Sequence, residues 1–294
     1  MDIGVIGLGN IGGAIATNLV ADGHLVTVHD SDPSRTASVV GAATAAGIAA
    51  LAAGSEITLL SLPTPAIVDE VAAVWATAAP PGAILVDLST NSPASVRALG
   101  GRLSASGHHL VEAPVTGGAI GAERRLLVFM VGGDTEPVER VRPVLEPLGR
   151  ALFPVGALGL GSTMKLVNSL LAFTTTWVSL EGLSIAAKAG IAVPDAVAIL
   201  RTAGASNFYV DRLVESIDQR DRPTQFALAL AAKDAGLIVD NAAALDVPAP
   251  TAAAILGVLQ DAVAAGLGGA DWSELVALAE QQADVELRWA VDNF

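Results

Sequence analysis

Three groups of residues in this 294-residue chain can act together on a small molecule. The first is Gly7-Leu8-Gly9-Asn10-Ile11-Gly12, with glycine at its first, third and sixth positions. Gly7 allows a tight turn, Gly9 lets backbone approach a pyrophosphate, and Gly12 lets the following helix pack close to a sheet. The N-terminus of that helix offers N–H groups and partial positive charge to phosphates. In a chain with 30 Gly the spacing alone says little. It gains meaning from its context: a strand before, a helix after, and an acid at the end of the next strand. Asp30 is that acid, 18 residues past Gly12. Its carboxylate can accept hydrogen bonds from both ribose hydroxyls and repels a 2′-phosphate, and Asp32 adds to the repulsion. Arg35 is the one nearby cation in the sequence, so NAD is favoured over NADP.

The second group is Lys165 and Asn168, three residues apart and so on one face of a helix. An ammonium and an amide converging on a pocket can bind a hydroxyl and polarise a carbonyl. Reduction of a carbonyl by hydride needs a proton donor for the developing alkoxide, and in oxidation the same amine accepts the hydroxyl proton. The third group is Thr116-Gly117-Gly118, a hydroxyl followed by exposed N–H groups that can hold a carboxylate. Thr90 is open to two readings, facing a nicotinamide or capping a helix. His24, His29, His108 and His109 lack triad or metal spacing. The pair 108–109 reads as a surface loop, and no metal site is expected.

These residues need a scaffold, and the apolar pattern supplies one. Asp2–Ile6, Leu25–Val28, Glu56–Leu62, Ala83–Val86, Leu110–Pro114 and Leu126–Val131 read as strands. Helical spacing runs from Asn10 to Asp22 and from Pro65 to Thr77, and Ser92-Pro93 fits a helix start. Alternating strands and helices predict an α/β Rossmann-type doubly wound sheet. Prolines and glycines punctuate 143–161, the expected domain boundary. Beyond it the pattern is helical: Ser162–Ala189, which would reach roughly 40 Å, then Val193–Arg201, Phe208–Ile217, Phe226–Asn241, Thr251–Ala264 and Trp272–Trp289. The expected domains are a dinucleotide-binding unit at 1–160 and an all-α substrate and dimerisation unit at 161–294, built on the long helix.

The net charge of −14 is spread over the chain, −6 across residues 1–150 and −8 across 151–294. That excludes the basic footprint of a nucleic-acid or anionic-lipid partner. With no Cys there is no thiolate chemistry. The uncharged stretch 36–55 is too weakly apolar for a membrane span, and no positive region precedes the first apolar run; a cytoplasmic protein is expected. Only three lysines occur, Lys165, Lys188 and Lys233. The long helix is apolar all round, which calls for burial against a partner subunit.

Taken together, these motifs make the chain resemble the β-hydroxyacid dehydrogenases, the 3-hydroxyisobutyrate dehydrogenase-like members of the 6-phosphogluconate dehydrogenase superfamily. The resemblance rests on Gly7–Gly12, Ser61-Leu62-Pro63, Asp87-Leu-Ser89-Thr90, Glu112-Ala-Pro114-Val-Thr116-Gly117-Gly118, Gly161-Ser-Thr-Met-Lys165-Leu-Val-Asn168 and Lys233-Asp234, in the family's order. It implies a 3-hydroxy acid or its semialdehyde as a small anionic substrate, bound between the domains, and Lys165 as general acid/base. It places Thr116, Gly117, Gly118 and Asn168 on the substrate. Leu62, Pro63 and Thr90 lie against the cofactor, and Lys233 closes over it. It also implies a homodimer or homotetramer. Three departures stand out: Thr116 in place of Ser, Ser169 in place of a second Asn, and Arg125 at a glycine position. Arg125 has two readings, a reader of a second anionic group on the substrate or an exposed edge charge. Two other functions remain: an imine reductase of the same architecture, against which Lys165 counts, and a non-catalytic nucleotide-binding regulator.

Overall fold

In the computed structural model, which describes residues 1–205, 207–218 and 223–289, the predicted apolar runs of the first half are strands. They and three further strands that the pattern did not mark, at 43–44, 115–116 and 149–156, make up β1 (Asp2–Ile6), β2 (Leu25–His29), β3 (Ala43–Thr44), β4 (Ile57–Leu60), β5 (Ile84–Asp87), β6 (His109–Glu112), β7 (Val115–Thr116), β8 (Leu127–Gly132) and β9 (Gly149–Gly156). They form one sheet in the order β3-β2-β1-β4-β5-β6-β8-β7, with β9 also beside β8. The first six are parallel to one another; β8 is antiparallel to β6 and β7, and parallel to β9. Strand order reverses direction between β1 and β4. In open α/β sheets the crevice beyond the carboxyl ends of the strands at such a point is where ligands bind.

Helices α1 (Gly12–Ala21), α2 (Pro33–Ser38), α3 (Ile48–Ala53), α4 (Pro65–Ala76), α5 (Pro93–Ala105), α6 (Gly118–Glu123) and α7 (Thr135–Leu145) lie along the same half. Alternate strand residues feed two apolar cores, one for each face of the sheet. Val5, Leu59, Ile84, Val86 and Phe129 pack with Ile15 and Leu19 of α1. Ile6, Leu60 and Leu85 pack with Leu51, Trp75 and Leu99. With both faces covered, β4 and β5 are buried at every position, as continuous apolar runs of a parallel sheet should be. Thr64 and Ser92 accept N–H bonds at the starts of α4 and α5, each followed by Pro at the first turn.

Three expectations need correction. The Pro/Gly-rich stretch 143–161 is not only a linker. It carries β9, an edge strand, where Pro154 is tolerated because one side of the strand needs no ladder partner. His108 is not on a surface loop: it is buried, with its ring 5.2 Å from that of Trp75 and its Nε2 3.3 Å from the Ala76 carbonyl. The last helix does not run to Trp289.

The chain forms two units, Met1–Leu166 and Val167–Phe294. Helix α8 (Leu160–Lys188) begins in the first and continues through the second, where α9 (Val193–Thr202), α10 (Phe208–Asp218), α11 (Leu228–Ala244), α12 (Pro250–Ala262) and α13 (Leu275–Ala283) follow. Helix α13 stops because Asp284 turns left-handed (φ 48°) and Glu280 draws back the next segment, accepting from the N–H groups of Val285 and Leu287. The sparse aromatics concentrate in this unit. Phe173 on α8 stacks on Phe226 at 6.3 Å and meets Trp272 edge-on at 6.0 Å. Helix α8 is not buried all round: Leu171, Val178 and Ile185, spaced by seven, are exposed. Leu160–Lys188 and Pro250–Leu267 pass the length and hydropathy test for a membrane span. In α8 that apolarity feeds the interior through Leu166, Phe173, Leu180 and Leu183.

Candidate active site

The glycine loop is built as its spacing requires. Gly7 has φ +87°, and a Cβ there would strike the Ser61 carbonyl; a Cβ on Gly12 would strike the carbonyl of Gly7. Gly9 differs, since a Cβ there meets only open space. The two outer glycines are therefore demanded by the fold, and the middle one leaves a face clear for an incoming group. No side chain caps α1 at Ile11, and the Gly13 N–H in its first turn is taken by the Gly9 carbonyl at 2.9 Å. A surface groove runs along this loop, past Leu8, Gly9, Asn10 and Gly13 to Arg35 and Ser38.

Asp30 ends β2 beside this loop. Its Oδ2 accepts the Leu8 N–H at 2.6 Å and its Oδ1 accepts the Asp32 N–H at 2.8 Å. Each oxygen keeps acceptor capacity for a diol. Arg35 lies 3.7 Å from both Asp30 and Asp32. Its charge is thus turned onto two carboxylates instead of being presented to a phosphate. The Ser34 hydroxyl and N–H hold the Asp32 carboxyl below the usual range. An adenosine ribose with free hydroxyls fits this donor and acceptor set better than a 2′-phosphate does.

The loops after β4 and β5 are tied together, because the Ser89 hydroxyl accepts the Leu62 N–H at 3.0 Å. Ser92, not Thr90, caps α5, which leaves Thr90 on the loop beyond β5. Asp87 is buried at the end of β5, taking the Ser89 N–H at 2.9 Å and the Asn91 side-chain amide at 3.2 Å. Burial pushes its carboxyl up against the pull of those hydrogen bonds, and the charge of Glu112 adds to the rise.

Past β6 the chain makes the turn at Thr116. Gly117 (φ +131°) and Gly118 (φ +67°) are successive left-handed residues that start α6. Thr116 pairs across to Val128 on β8. Arg125, which follows α6 with φ +59°, is a partly exposed charge held in an ion pair. Its guanidinium donates to both oxygens of Asp22, at 2.7 and 2.9 Å, and to the carbonyls of Asn18 and Pro147, each at 3.2 Å. Its charge is engaged by Asp22 at a partly exposed position.

The start of α8 was not expected to have a partner, yet it has one. Glu112, buried at the end of β6, takes the N–H groups of Gly159 (2.5 Å), Gly161 (2.9 Å) and Ser162 (2.9 Å), and the Ser162 hydroxyl (2.6 Å). A carboxylate closing the buried end of a strand is the available signal, because such a group is buried only with donors around it. This anchor brings the start of α8, with half-buried Lys165 in its second turn, to the same sheet edge as the glycine loop, Asp30, Leu62-Pro63, Thr90 and the Thr116 turn. Asn168 follows one turn later on α8, partly buried. Lys233, on α11 in the second unit, is ion-paired at 2.7 Å to buried Asp234, so the pair is not on a solvated face.

Residues 2–156 match the family described as the NAD binding domain of 6-phosphogluconate dehydrogenase. Residues 159–279 match the one described as NAD-binding of NADP-dependent 3-hydroxyisobutyrate dehydrogenase. The 2-(hydroxymethyl)glutarate dehydrogenase of Eubacterium barkeri is 32% identical over 291 residues, 97% of each chain. The mitochondrial 3-hydroxyisobutyrate dehydrogenase of Drosophila melanogaster is 34% identical over 292 residues, 96% of this chain and 90% of that one. Among solved structures, a Mycobacterium tuberculosis 3-hydroxyisobutyrate dehydrogenase with L-serine gives a TM-score of 0.85 at 27% identity, covering 94% of this chain and 98% of that one.

Proposed function

The chain belongs to the 3-hydroxyisobutyrate dehydrogenase-like β-hydroxyacid dehydrogenases, and from that premise we propose that it is an NAD-dependent dehydrogenase of a small 3-hydroxy acid or its semialdehyde. When bound, the dinucleotide supplies the hydride acceptor or donor. The chain's own residues do the rest. Asp30 takes the ribose diol, and the open face at Gly9 receives the pyrophosphate beside the first turn of α1. Leu62, Pro63 and Thr90 line the cofactor's path along the strand ends. The Thr116 hydroxyl and the N–H groups of Gly117 and Gly118 hold the substrate carboxylate. Asn168 orients the substrate hydroxyl, and Lys165 takes its proton on oxidation and returns it on reduction. Lys233 contributes a second cation toward the anionic ligands. A cytoplasmic homodimer or homotetramer accompanies this reading.

The observation that carries it is the anchoring of the α8 start, with Lys165 one turn on, at the sheet edge that holds the glycine loop and Asp30. The test is NAD-linked turnover on a panel of 3-hydroxy acids graded in size and charge, with cyclic imines alongside, for wild type and Lys165→Ala. Oxidation of at least one 3-hydroxy acid, lost on the order of 10²–10⁴-fold in the variant, is expected for a removed acid/base group. Imine reduction without hydroxy-acid turnover, or an unimpaired variant, would sink the assignment.

A further inference from the structure

An ordinary helix cap comes from the residue just before the helix. Helix α8 is held instead by a carboxylate 47 to 50 residues upstream in the chain. All four donors to Glu112 come from Gly159, Gly161 and Ser162. The carboxylate sits where two glycines leave room for it. A Cβ on Gly132 would run into its Oε1, and one on Gly161 would lie 3.0 Å from its Cδ. Glycine at both positions lets β8 and α8 close around it.

Glu112 is four residues from Thr116 in one direction along the chain. Through the Ser162 bonds it is three residues from Lys165 in the other. One side chain therefore joins the turn assigned to the substrate carboxylate to the helix assigned to the substrate hydroxyl. We propose that Glu112 is a positioning residue for Lys165, its buried carboxylate setting the distance between the Lys165 amine and the Thr116-Gly117-Gly118 turn. The inference rests on the reading of Lys165 as the proton-transfer group. Its physical basis is that a displacement of about 1 Å at a reacting group can cost on the order of 10²-fold in rate. The charged groups around the carboxylate are Asp87 on β5, in paired register with it, and Arg97 on α5, whose guanidinium lies against Gly159. Helix α8 carries Lys165 three residues beyond Ser162, and Gly132 of β8 lies against the carboxylate.

The experiment compares wild type, Glu112→Gln, Ser162→Ala and Lys165→Ala as full-length protein. NADH binding is read by fluorescence, so that kcat is expressed per cofactor-binding site, and kcat/KM for hydroxy-acid oxidation is followed with pH. Glu112→Gln should lose on the order of 10- to 100-fold in kcat per site while the NADH Kd holds within about twofold. Removing the negative charge also leaves the positive end of α8 unneutralised, so the limb of the pH profile that depends on Lys165 should move to lower pH. A mere loss of folded protein would leave kcat per site and the limb unchanged. Ser162→Ala removes one donor and keeps the charge. It should lose about 3- to 10-fold in kcat per site without moving the limb, and it decides the matter if Glu112→Gln does not fold. Wild-type kcat per site in either folded variant, with Lys165→Ala inactive, overturns the role of Glu112 alone. An active Lys165→Ala overturns it together with the reading of Lys165.

Discussion

Arg125 and Asp22, 103 residues apart, form a two-point ion pair that fastens the end of α1 to the turn between α6 and β8. The Asn18 side-chain amide strengthens the joint by donating to the Ala122 carbonyl at 2.8 Å. Helix α1 follows the glycine loop and α6 is capped at Gly117, so the joint braces the glycine loop and the Thr116 turn against each other. Arg125 holds a left-handed conformation to make it, at a cost of roughly 1–2 kcal/mol.

A double-mutant cycle with Arg125→Ala and Asp22→Ala should therefore give a coupling of about 1 kcal/mol by urea denaturation, since both side chains are about one-third exposed and solvent screens the pair. The Arg125 hydrogen bonds hold the Asp22 carboxyl below its usual range. A depressed carboxyl stabilises the fold above its unfolded value of 3.8 and loses that contribution as pH falls through the lower folded value. The coupling should then be present at pH 7 and fade below pH 3.8. A coupling of zero at low salt and neutral pH would contradict the pair.

Gly9 and Gly12 should separate binding from folding. Gly9→Ala has open space around the new methyl, so its Tm should stay within a few degrees of wild type while NAD affinity falls about tenfold or more, as the methyl occupies the pyrophosphate approach. Gly12→Ala pushes a methyl into the Gly7 carbonyl and should cost about 2 kcal/mol or more in stability. Calorimetry with NAD titration checks both. Equal melting losses for the two variants would be inconsistent with the loop geometry.

Asp30 should set cofactor choice. Asp30→Ala removes the diol acceptor and one of the two carboxylates facing Arg35, so NAD affinity should drop roughly 10- to 100-fold, the worth of charge-assisted hydrogen bonds, with NADP gaining relative to NAD. Asp30→Asn keeps an acceptor for the Leu8 N–H and should show how much of the loss comes from the loop. An unchanged NAD/NADP ratio in both variants would remove Asp30 from the selection.

Asp87 should make stability fall as pH rises. Its carboxyl is raised by burial, so the folded state binds its proton more tightly than the unfolded chain does. The sign is then opposite to that of Asp22: stability declines from pH 3.8 upward through the raised folded value and levels off above it. Asp87→Asn removes that decline. The stability difference between variant and wild type, measured by urea denaturation, should shift in favour of Asn as pH rises across this window.

Much of the site is legible in the chain because local rules govern it. Gly7, Gly9 and Gly12 are read from spacing because turn geometry and helix packing act over a few residues. Ser92-Pro93 is read as a helix start for the same reason. Strand β9 is hidden because prolines and glycines mask an edge strand whose pairing with β8 is non-local. Nothing along the chain marks His108 as buried, because a single histidine has no periodic signature; its packing against Trp75 shows where it lies.

Six of the strands, the switch to helices after 161, the glycine loop with its acid at Asp30, and the helical spacing of Lys165 and Asn168 are set by the sequence alone. Each follows from period, capping or turn chemistry within about twenty residues. What the tertiary structure decided is which charges meet. It spent Arg125 on Asp22, turned Arg35 onto Asp30 and Asp32, and closed Glu112 over the start of α8. Arg125–Asp22 and Glu112–Ser162 join residues 103 and 50 positions apart, and such pairs exist only once parallel strands bring distant chain ends to a common edge. Spacing along a chain cannot reveal the direction of a side chain that sheet register and helix packing impose.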